Sequence, residues 1–353
     1  MTHIKALTSQ LQFANMLGLG SKESSAEEVR HCGLRAVCLR VVMRLDVIVP
    51  TYNREHLLKH ALQSLLAAEI PTGLTIYITV VDNNSTDQTH QTVNAFKPPF
   101  GGRLNYLFEP KQGKSAALNA GITATNGDLV GMLDDDEEID GSWYVCVYKA
   151  FSNQDVDFIG GPYRPRWGGP PPPWLPNNNS AVIGSVGGFP HSFVYGTNEA
   201  MLMGGNAVLT RSILRRVGLY STDLGPQGSR FLADEDTDMY LRLLAAGAKG
   251  MYLPDLIIYH YIHPERLTRR YFRRWHFWRG VSSGVLDKRH PKNVAYLFGI
   301  PRFLFGNAVR ALLRMLGTTL KMRRDPAQWF SDELRVWDVA GFFYGKHFYK
   351  AAK

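Results

Sequence analysis

The chain has few cysteines and no long hydrophobic run, and both absences exclude whole classes of protein. Its 353 residues include three cysteines, Cys32, Cys38 and Cys146, too few for a disulfide-stabilised scaffold and not spaced as in a zinc site. No uncharged apolar run of about eighteen residues occurs, so no clear transmembrane helix is predicted. We also recognise no signal peptide. We therefore expect a cytoplasmic protein, with peripheral binding to the inner face of the membrane as an open alternative.

Low complexity is also absent, and the charge is unevenly distributed. Hydrophobic residues make up 45% of the chain, which is enough to bury a core and excludes a disordered protein. Lys and Arg together number 40, against 31 Asp and Glu. Fifteen of these basic residues lie between Pro264 and Arg324, with only two acids, Glu265 and Asp287. We expect a basic, amphipathic helical tail over residues 264–353.

The beginning of the chain predicts no regular element. Residues 1–42 mix polar residues with weak helix formers, and the first strand pattern follows Met43. We interpret residues 1–42 as a poorly ordered extension that arises from a misassigned start, with Met43 as the biological start. The alternative is a genuine, loosely ordered N-terminal arm. The main domain is then expected over residues 43–263.

Within that domain, strand and helix patterns alternate in short units, which predicts a doubly wound, mostly parallel α/β sheet. Ligands of such sheets bind at the carboxyl ends of the strands, and three polar motifs fall at those ends, at 50–54, 82–87 and 134–136. The predicted strands are 45–49, 74–81, 104–108 and 128–133, and the predicted helices include one carrying Leu58, Leu62, Leu65 and Leu66, then 85–96 and 114–125.

The triplet Asp134-Asp135-Asp136 directly follows an apolar strand. Two carboxylates at a spacing of two can converge on one hard cation such as Mg²⁺ or Mn²⁺. Burying adjacent acids without a cation is costly, because like charges repel and lose their hydration. The alternative is a solvated acidic turn, since Glu137 and Glu138 follow.

Two further acidic motifs are candidates for chemistry. Asp82 ends a strand and can accept a hydrogen bond from the edge of a nucleotide base, although Ser85 and Thr86 also suit a plain helix-capping turn. Glu235 and Asp236 precede an apolar helical pattern, where acids are favoured by the helix dipole. The functional alternative is a general base, because close acidic neighbours raise the proton affinity of a carboxylate.

These motifs, in this order, resemble family 2 glycosyltransferases, which have the GT-A fold. The match covers about residues 44–263. The resemblance implies a nucleotide-sugar donor, a divalent cation and transfer with inversion at the anomeric carbon. The segments that carry it are 47–54 (VIVPTYNR), 80–87 (VVDNNSTD), 113–121 (GKSAALNAG), 133–136 (LDDD), 204–206 (GGN) and 235–238 (EDTD), followed by Arg242.

The resemblance also implies roles for particular residues. Asp236 would be the catalytic base, with Glu235 beside it. Asp134, Asp136 and His260 would bind Mg²⁺ or Mn²⁺. The residues expected near the nucleotide-sugar are Pro50, Thr51, Tyr52, Arg54, Asp82, Asn84, Lys114, Asp134 and Asp135, and those expected near the acceptor are Gly205, Asn206 and Trp174.

Two departures from the family pattern bear on function. Asn84 stands where many members have glycine. Tyr271 stands where processive synthases have the glutamine of a Gln-x-x-Arg-Trp element, which favours the transfer of single sugars. We expect transfer from a nucleotide-diphospho-sugar, a UDP-sugar first among donors, to the hydroxyl of a glycan or lipid-linked acceptor. The alternatives are an inactive sugar-nucleotide-binding or scaffold protein and, less favoured, a nucleotidyltransferase.

Three interpretations of the basic tail remain open. Residues 296–320 combine helically spaced apolar residues with arginines, as in helices that lie on anionic lipid, so an anionic membrane surface is a candidate partner of residues 264–324. The tail can also be a cover of helices packed on the domain, or a dimer interface. Nucleic-acid binding is disfavoured, because no nucleic-acid motif accompanies the charge.

Overall fold

The computed structural model describes residues 42–175, 180–184, 188–198, 200–224, 234–291, 293–320 and 325–349. They belong to one compact unit, Val42–Lys353. The predicted extension over residues 1–42 lies outside the described residues apart from Val42, and the predicted division at residue 264 stays a prediction.

Thirteen strands and nine α-helices are present in this described part of the chain. The strands are β1 (Met43–Thr51), β2 (Leu74–Asp82), β3 (Leu104–Phe108), β4 (Leu129–Met132), β5 (Glu137–Ile139), β6 (Phe158–Gly160), β7 (Tyr163–Trp167), β8 (Phe193–Val194), β9 (Ala207–Thr210), β10 (Gly250–Tyr252), β11 (Ile258–Ile262), β12 (Tyr296–Leu297) and β13 (Ile300–Pro301). The helices are α1 (Glu55–Ala67), α2 (Thr89–Phe96), α3 (Lys114–Ala124), α4 (Trp143–Asn153), α5 (Arg211–Val217), α6 (Glu235–Ala245), α7 (Arg269–Arg289), α8 (Arg302–Leu320) and α9 (Pro326–His347).

The central sheet has eight strands in the order β3-β2-β1-β4-β9-β6-β10-β8. The first four strands are parallel, so their carboxyl ends share one edge of the sheet. Strand β9 then runs antiparallel between β4 and β6. A smaller sheet, β5-β11-β7, lies beyond β4 in sequence. The predicted doubly wound α/β architecture is confirmed.

Helices cover both faces of the central sheet, because alternate residues of a strand point to opposite sides. Leu45, Val47 and Val49 of β1 pack in one core with residues of α1, α2 and α4. Ile48, between them, packs in a second core with residues of α3, α5 and α6. The strand is therefore buried on both faces, as its unbroken apolar run predicts.

The long helices α7 and α9 pack with their backbones in close contact. A Cβ atom on Gly341 would lie 1.9 Å from the carbonyl oxygen of Phe277, and one on Gly345 would lie 2.1 Å from that of Val281. Only glycine allows so close an approach. Part of the predicted basic tail is thus a closely packed pair of helices.

Two predicted helices start later than expected. The helix predicted over residues 85–96 begins at Thr89, because Asp87 accepts the hydrogen bond from the N–H of Thr89 at 3.1 Å. The helical pattern read over residues 296–320 begins at Arg302, since Tyr296–Leu297 and Ile300–Pro301 form a hairpin. Among the described helices, none combines the length and the apolar character needed to cross a membrane.

Candidate active site

The carboxyl ends of β1, β2 and β4 bring the predicted motifs to one edge of the sheet. Thr51, the last residue of β1, is paired with Asp82, the last residue of β2. After β4, the N–H of Leu133 donates to the carbonyl of Ile48 at 3.1 Å, which holds the following acidic turn beside β1. Thr51 Oγ1 then donates to the Asp135 carboxylate at 2.8 Å.

Asp135, Asp136 and Glu137 are buried, Asp134 is partly buried, and the acidic turn folds back on itself through Glu137. The Glu137 carboxylate accepts a hydrogen bond from the N–H of Asp134 at 2.8 Å. One carboxylate oxygen from each of Asp134, Asp136 and Glu137 lies within 4.8 Å of the other two. Three such oxygens suit Mg²⁺ or Mn²⁺, so these residues fit a divalent ion. The alternative of a solvated acidic turn is wrong.

Glu137 is a candidate ligand that the sequence reasoning did not select. A signal was available, because Glu137 lies two residues before Ile139 in β5 and both side chains are buried. Residues two apart in a strand share a face, so an apolar residue at 139 predicts that residue 137 also points inward.

His260 lies next to this turn because β11 pairs with β5, which places His260 opposite Glu137. Its Nδ1 lies 3.3 Å from the carbonyl oxygen of Ile183. A carbonyl only accepts, so Nδ1 carries the proton and the unprotonated Nε2 faces Asp136 Oδ1 at 3.6 Å. Burial lowers the pKa of His260 and favours this neutral form, which is the one that ligates metals.

Two arginines neutralise Asp136. Arg54 lies 3.2 Å from its carboxylate, and Arg266, in the turn Pro264–Arg266, lies 3.0 Å away. Although burial disfavours the charged form, the positive charges of Arg266 and Arg54 hold the pKa of Asp136 well below its usual range. Arg266 was not predicted, because it lies 130 positions from Asp136 and no local pattern connects them.

Asp135 has a different environment from its two neighbours. It accepts hydrogen bonds from Thr51 and, at 3.1 Å, from Arg54. Burial raises the pKa of Asp135 to about 6, although Arg54 opposes the shift. Its contacts fix the turn against β1, whereas Asp134 and Asp136 face the candidate metal position.

Lys114 connects the acidic turn to the second acidic motif. Its Nζ lies 2.7 Å from Asp134 and 3.9 Å from Glu235. Although burial disfavours its charge, the surrounding carboxylates, Asp134 foremost, raise the pKa of Lys114 well above its usual value. Lys114 is the first residue of α3. The preceding Gly113 is fixed by its N–H, which donates to the Asn83 side chain at 2.7 Å.

The second motif begins α6, where Glu235 is buried and Asp236 is partly buried. Burial and the neighbouring Asp236 raise the pKa of Glu235 to about 8, although Lys114 opposes the shift. Burial likewise raises the pKa of Asp236 against the field of Lys114. Asp236 Oδ1 is buried without a hydrogen-bond partner. A carboxylate oxygen in this state is available to accept a proton from a bound hydroxyl group.

The turn Gly204–Asn206 packs against both acidic motifs. A Cβ atom on Gly204 would lie 2.0 Å from Asp236 Oδ1, and one on Gly205 would lie 2.3 Å from Glu137 Oε1. Asn206 is fully buried and accepts a hydrogen bond from Trp143 Nε1 at 2.9 Å. These contacts give the turn a positioning role, and the acceptor contacts expected of Gly205 and Asn206 stay predictions.

The end of the site near β2 holds the residues expected to bind the nucleotide. Asp82 accepts hydrogen bonds from Tyr106 Oη at 2.7 Å and from the N–H of Ser85 at 2.8 Å. Both Tyr52 and Asn84 are exposed, and Asn84 adopts a left-handed conformation with φ of 67°. Pro50 and Thr51 are buried below them. Their contacts with a nucleotide stay predictions.

Trp174 lies in an aromatic cluster with the C-terminal helices. Its ring centroid is 5.4 Å from that of Phe272 and 5.2 Å from that of Phe330, in edge-to-face geometry. Arg269 lies over its ring at 5.7 Å. Trp174 is partly buried, and its expected contact with the acceptor stays a prediction.

Comparison with known proteins finds one matching family model and several related sequences. The model of the family described as glycosyl transferase family 2 matches residues 46–218. The succinoglycan biosynthesis protein ExoM of Rhizobium meliloti is 25% identical over 254 residues, which cover 70% of this chain and 77% of that protein. A glucosyl-dolichyl phosphate glucuronosyltransferase of Haloferax volcanii is 24% identical over 259 residues, 71% of this chain and 79% of that protein.

Among solved structures, the mannosyltransferase PcManGT of Pyrobaculum calidifontis, in complex with GDP-Man and Mn²⁺, superposes with a TM-score of 0.56. Its sequence is 18% identical, and the match covers 86% of this chain and 87% of the chain of that mannosyltransferase. This likeness shows a shared fold, and the GT-A architecture expected from the sequence is confirmed.

Proposed function

The chain belongs to glycosyl transferase family 2, and from that premise we propose that it moves one sugar from a nucleotide-diphospho-sugar to a hydroxyl acceptor, with inversion at the anomeric carbon. One observation carries the proposal: Lys114 joins two largely buried acidic motifs, with its Nζ 2.7 Å from Asp134 of one and 3.9 Å from Glu235 of the other. The first motif suits a metal and a diphosphate, and the second suits a proton acceptor.

Asp134, Asp136, Glu137 and His260 would hold Mg²⁺ or Mn²⁺. When bound, the ion neutralises negative charge that develops on the departing diphosphate. Arg54, Arg266 and Lys114 add fixed positive charge at the same place, and such preorganised charge stabilises a transition state. The structural relative was solved with GDP-Man and Mn²⁺, which supports a donor and an ion of this kind.

Asp236 would accept the proton of the acceptor hydroxyl. The oxygen of that hydroxyl attacks the anomeric carbon while the bond from that carbon to the diphosphate oxygen breaks. Its proton passes to the unpartnered Oδ1 of Asp236, and the nucleoside diphosphate leaves with the bonding pair. Attack from the face opposite the diphosphate inverts the configuration. Burial and the charge of Asp134 keep the proton affinity of Asp236 high, although Lys114 opposes them.

The nucleotide would bind at the β2 end, with Asp82 accepting from the base and Tyr52 available for contact. A uracil base offers a donor to such a carboxylate, so we propose a UDP-sugar. The acceptor would be a glycan or a lipid-linked sugar. The name of the Haloferax volcanii relative includes a dolichyl phosphate, and the name of the Rhizobium meliloti relative refers to succinoglycan biosynthesis.

Release of nucleoside diphosphate from UDP-, GDP- and dTDP-sugars, with Mn²⁺ or Mg²⁺, tests the proposal. We expect Asp236→Asn to lower turnover by at least about 10²-fold, the usual loss when a positioned acid–base group is removed. We expect a loss of about the same size for Asp136→Ala, because it removes a proposed ligand of the ion. Asp155→Asn is the matched control, because the Asp155 side chain is 91% exposed, and it should retain wild-type turnover.

Three results would each point to a different conclusion about the function. Near wild-type turnover of Asp236→Asn would remove the proposed base. Binding of a donor without any turnover by the wild type would favour an inactive sugar-nucleotide-binding protein, and release of pyrophosphate would favour a nucleotidyltransferase.

A further inference from the structure

Helix α8 exposes an apolar stripe to solvent. An amphipathic surface helix normally turns such a stripe towards the core. Here Ala308 and Ala311 face inward and are 6% and 0% exposed. Beside them runs a second stripe at helical spacing, and its members are 39% to 63% exposed. This second stripe consists of Val309, Leu312, Leu313 and Leu316.

A bulky aromatic residue projects from the hairpin that precedes α8. Phe298 is 74% exposed, at the tip between β12 and β13, with φ of 49°. The hairpin is fixed at its base, because Tyr296 Oη donates to the carboxylate of Asp287 at 2.8 Å. Its tip is also fixed, because His347 Nε2 donates to the carbonyl of Phe298 at 3.1 Å. The chain therefore holds this side chain outside its core.

Two more exposed phenylalanines lie beside the same histidine. The ring of Phe343 lies 4.7 Å from that of His347 and 5.8 Å from that of Phe348. Phe348 is 62% exposed. The hairpin tip and the end of α9 thus form one exposed aromatic cluster, and α8 starts directly after the hairpin.

The charge of α8 has one sign. Residues 302–320 contain Arg302, Arg310 and Arg314 and no acidic residue, and all three arginines are exposed. Arg314 pairs with Asp332 of α9. An exposed apolar stripe flanked by arginines is the pattern of a helix that lies in a lipid interface, and anionic headgroups attract such arginines.

We propose that this surface docks on the anionic face of a lipid bilayer. The docking surface consists of Leu312, Leu313 and Leu316 of α8 together with Phe298 and Phe348. A second copy of the chain is a poorer occupant, because the arginines of two copies would meet like charges. The inference goes beyond the proposed function and gives the acceptor a location, since a lipid-linked sugar lies at such a surface.

Co-sedimentation with vesicles tests the proposal, using wild-type protein, no donor, and vesicles of phosphatidylglycerol or of phosphatidylcholine. We expect Leu313→Glu/Leu316→Glu to weaken partition onto phosphatidylglycerol by at least about tenfold. The matched control is Leu66→Glu/Ile70→Glu, which adds the same charge at side chains 39% and 42% exposed on α1 and after it, and should bind like wild type.

Arg310→Gln separates charge from apolar contact. It should weaken binding to phosphatidylglycerol roughly fivefold and leave binding to phosphatidylcholine unchanged. Unchanged thermal midpoints and donor hydrolysis in all variants show that they are folded. Since no donor is needed for binding, loss of the proposed transferase activity would not affect this test.

Three outcomes would overturn the proposal. The wild type binds neither kind of vesicle, the α8 double variant binds as tightly as the α1 control, or gel filtration shows a dimer that the α8 variant dissociates. The last result would instead assign the surface to contact between copies of this chain.

Discussion

Replacing Lys114 by methionine tests whether the ion pairs of Lys114 with the two acidic motifs stabilise the fold. Methionine keeps the length and most of the volume of lysine but removes its charge. We expect Lys114→Met to lower the free energy of unfolding of the metal-free protein, because Asp134 and Glu235 lose the cation that lies 2.7 Å and 3.9 Å from them.

The magnitude follows from the geometry. With an effective dielectric constant near 20, unit charges about 4 Å apart attract by about 4 kcal/mol, and desolvation of the ammonium group offsets part of this. Removing one partner of a buried ion pair costs about 3–5 kcal/mol. The Lys114 side chain keeps 19% exposure, so we expect a loss of about 2–3 kcal/mol above pH 8, below the range for full burial.

The loss should depend on pH. The pKa of Glu235, about 8, lies above its ordinary value of 4.5. The folded protein therefore holds a proton that the unfolded chain releases, and wild-type stability falls as pH rises from about 5 to about 8. Without Lys114 the pKa of Glu235 rises further, so the fall continues to higher pH. The deficit of the variant should be smaller near pH 5.5 than above pH 8.

Urea unfolding after chelation of metals, at both pH values, measures this difference. Lys111→Met is the matched control, because Lys111 is exposed and lies in the loop that precedes α3, and a surface change of this kind should stay within about 0.5 kcal/mol. If Lys114→Met unfolds like Lys111→Met above pH 8, Lys114 does not stabilise the two motifs and the reasoning fails.

Two further predictions concern the helix pair and the acidic turn. Gly345→Ala should destabilise the protein by about 1–3 kcal/mol through steric overlap with the carbonyl of Val281, measured by thermal unfolding. Gly317→Ala in α8, where a Cβ atom meets nothing within 4 Å, should be neutral or stabilising, and equal midpoints for the two variants would contradict the close packing. Glu137→Gln should weaken Mn²⁺ binding at least about tenfold in a calorimetric titration. Glu138→Gln is its control, and equal affinity in the two would remove Glu137 from the ligand set.

The sequence predicted best those elements whose signal is local. The run over residues 104–108 is β3 with the same limits, and the strand predicted over 45–49 is the centre of β1. Aromatic and apolar residues favour a strand over residues 104–108. The β-branched, apolar run of β1 favours a strand that is buried on both faces of the sheet. The helix predicted over 114–125 differs from α3 by one residue.

Local competition explains the late start of α2. Ser85 and Thr86 suit a helix cap, but the side chain of Ser85 accepts from the N–H of Asn53 at 3.0 Å. Asp87 instead accepts from the N–H groups of Thr89 and Glu55. Several residues there can cap, and contacts with the loop after β1 decide which one does.

The packing of α7 on α9 and the position of Arg266 were not predicted, because both depend on contacts between residues far apart in the sequence. Helices α7 and α9 each carry a pair of glycines four residues apart, at 280 and 284 and at 341 and 345. Each pair marks a helix face that allows close packing. The sequence does not show which other helix packs against that face. Likewise, the charge of Arg266 was visible, but its position beside Asp136 depends on the path of β11.

The pairing of β11 with β5 sets a minimum length for any working fragment. Besides placing His260 opposite Glu137, β11 donates the N–H of Tyr261 to the carbonyl of Asp136 at 2.8 Å. A truncated chain ending at residue 218, where the family match stops, would keep the aspartate triplet. It would lose the strand that borders the triplet, the side chains of His260 and Arg266 beside Asp136, and the proposed base. Catalysis should therefore vanish from such a fragment even if it folds.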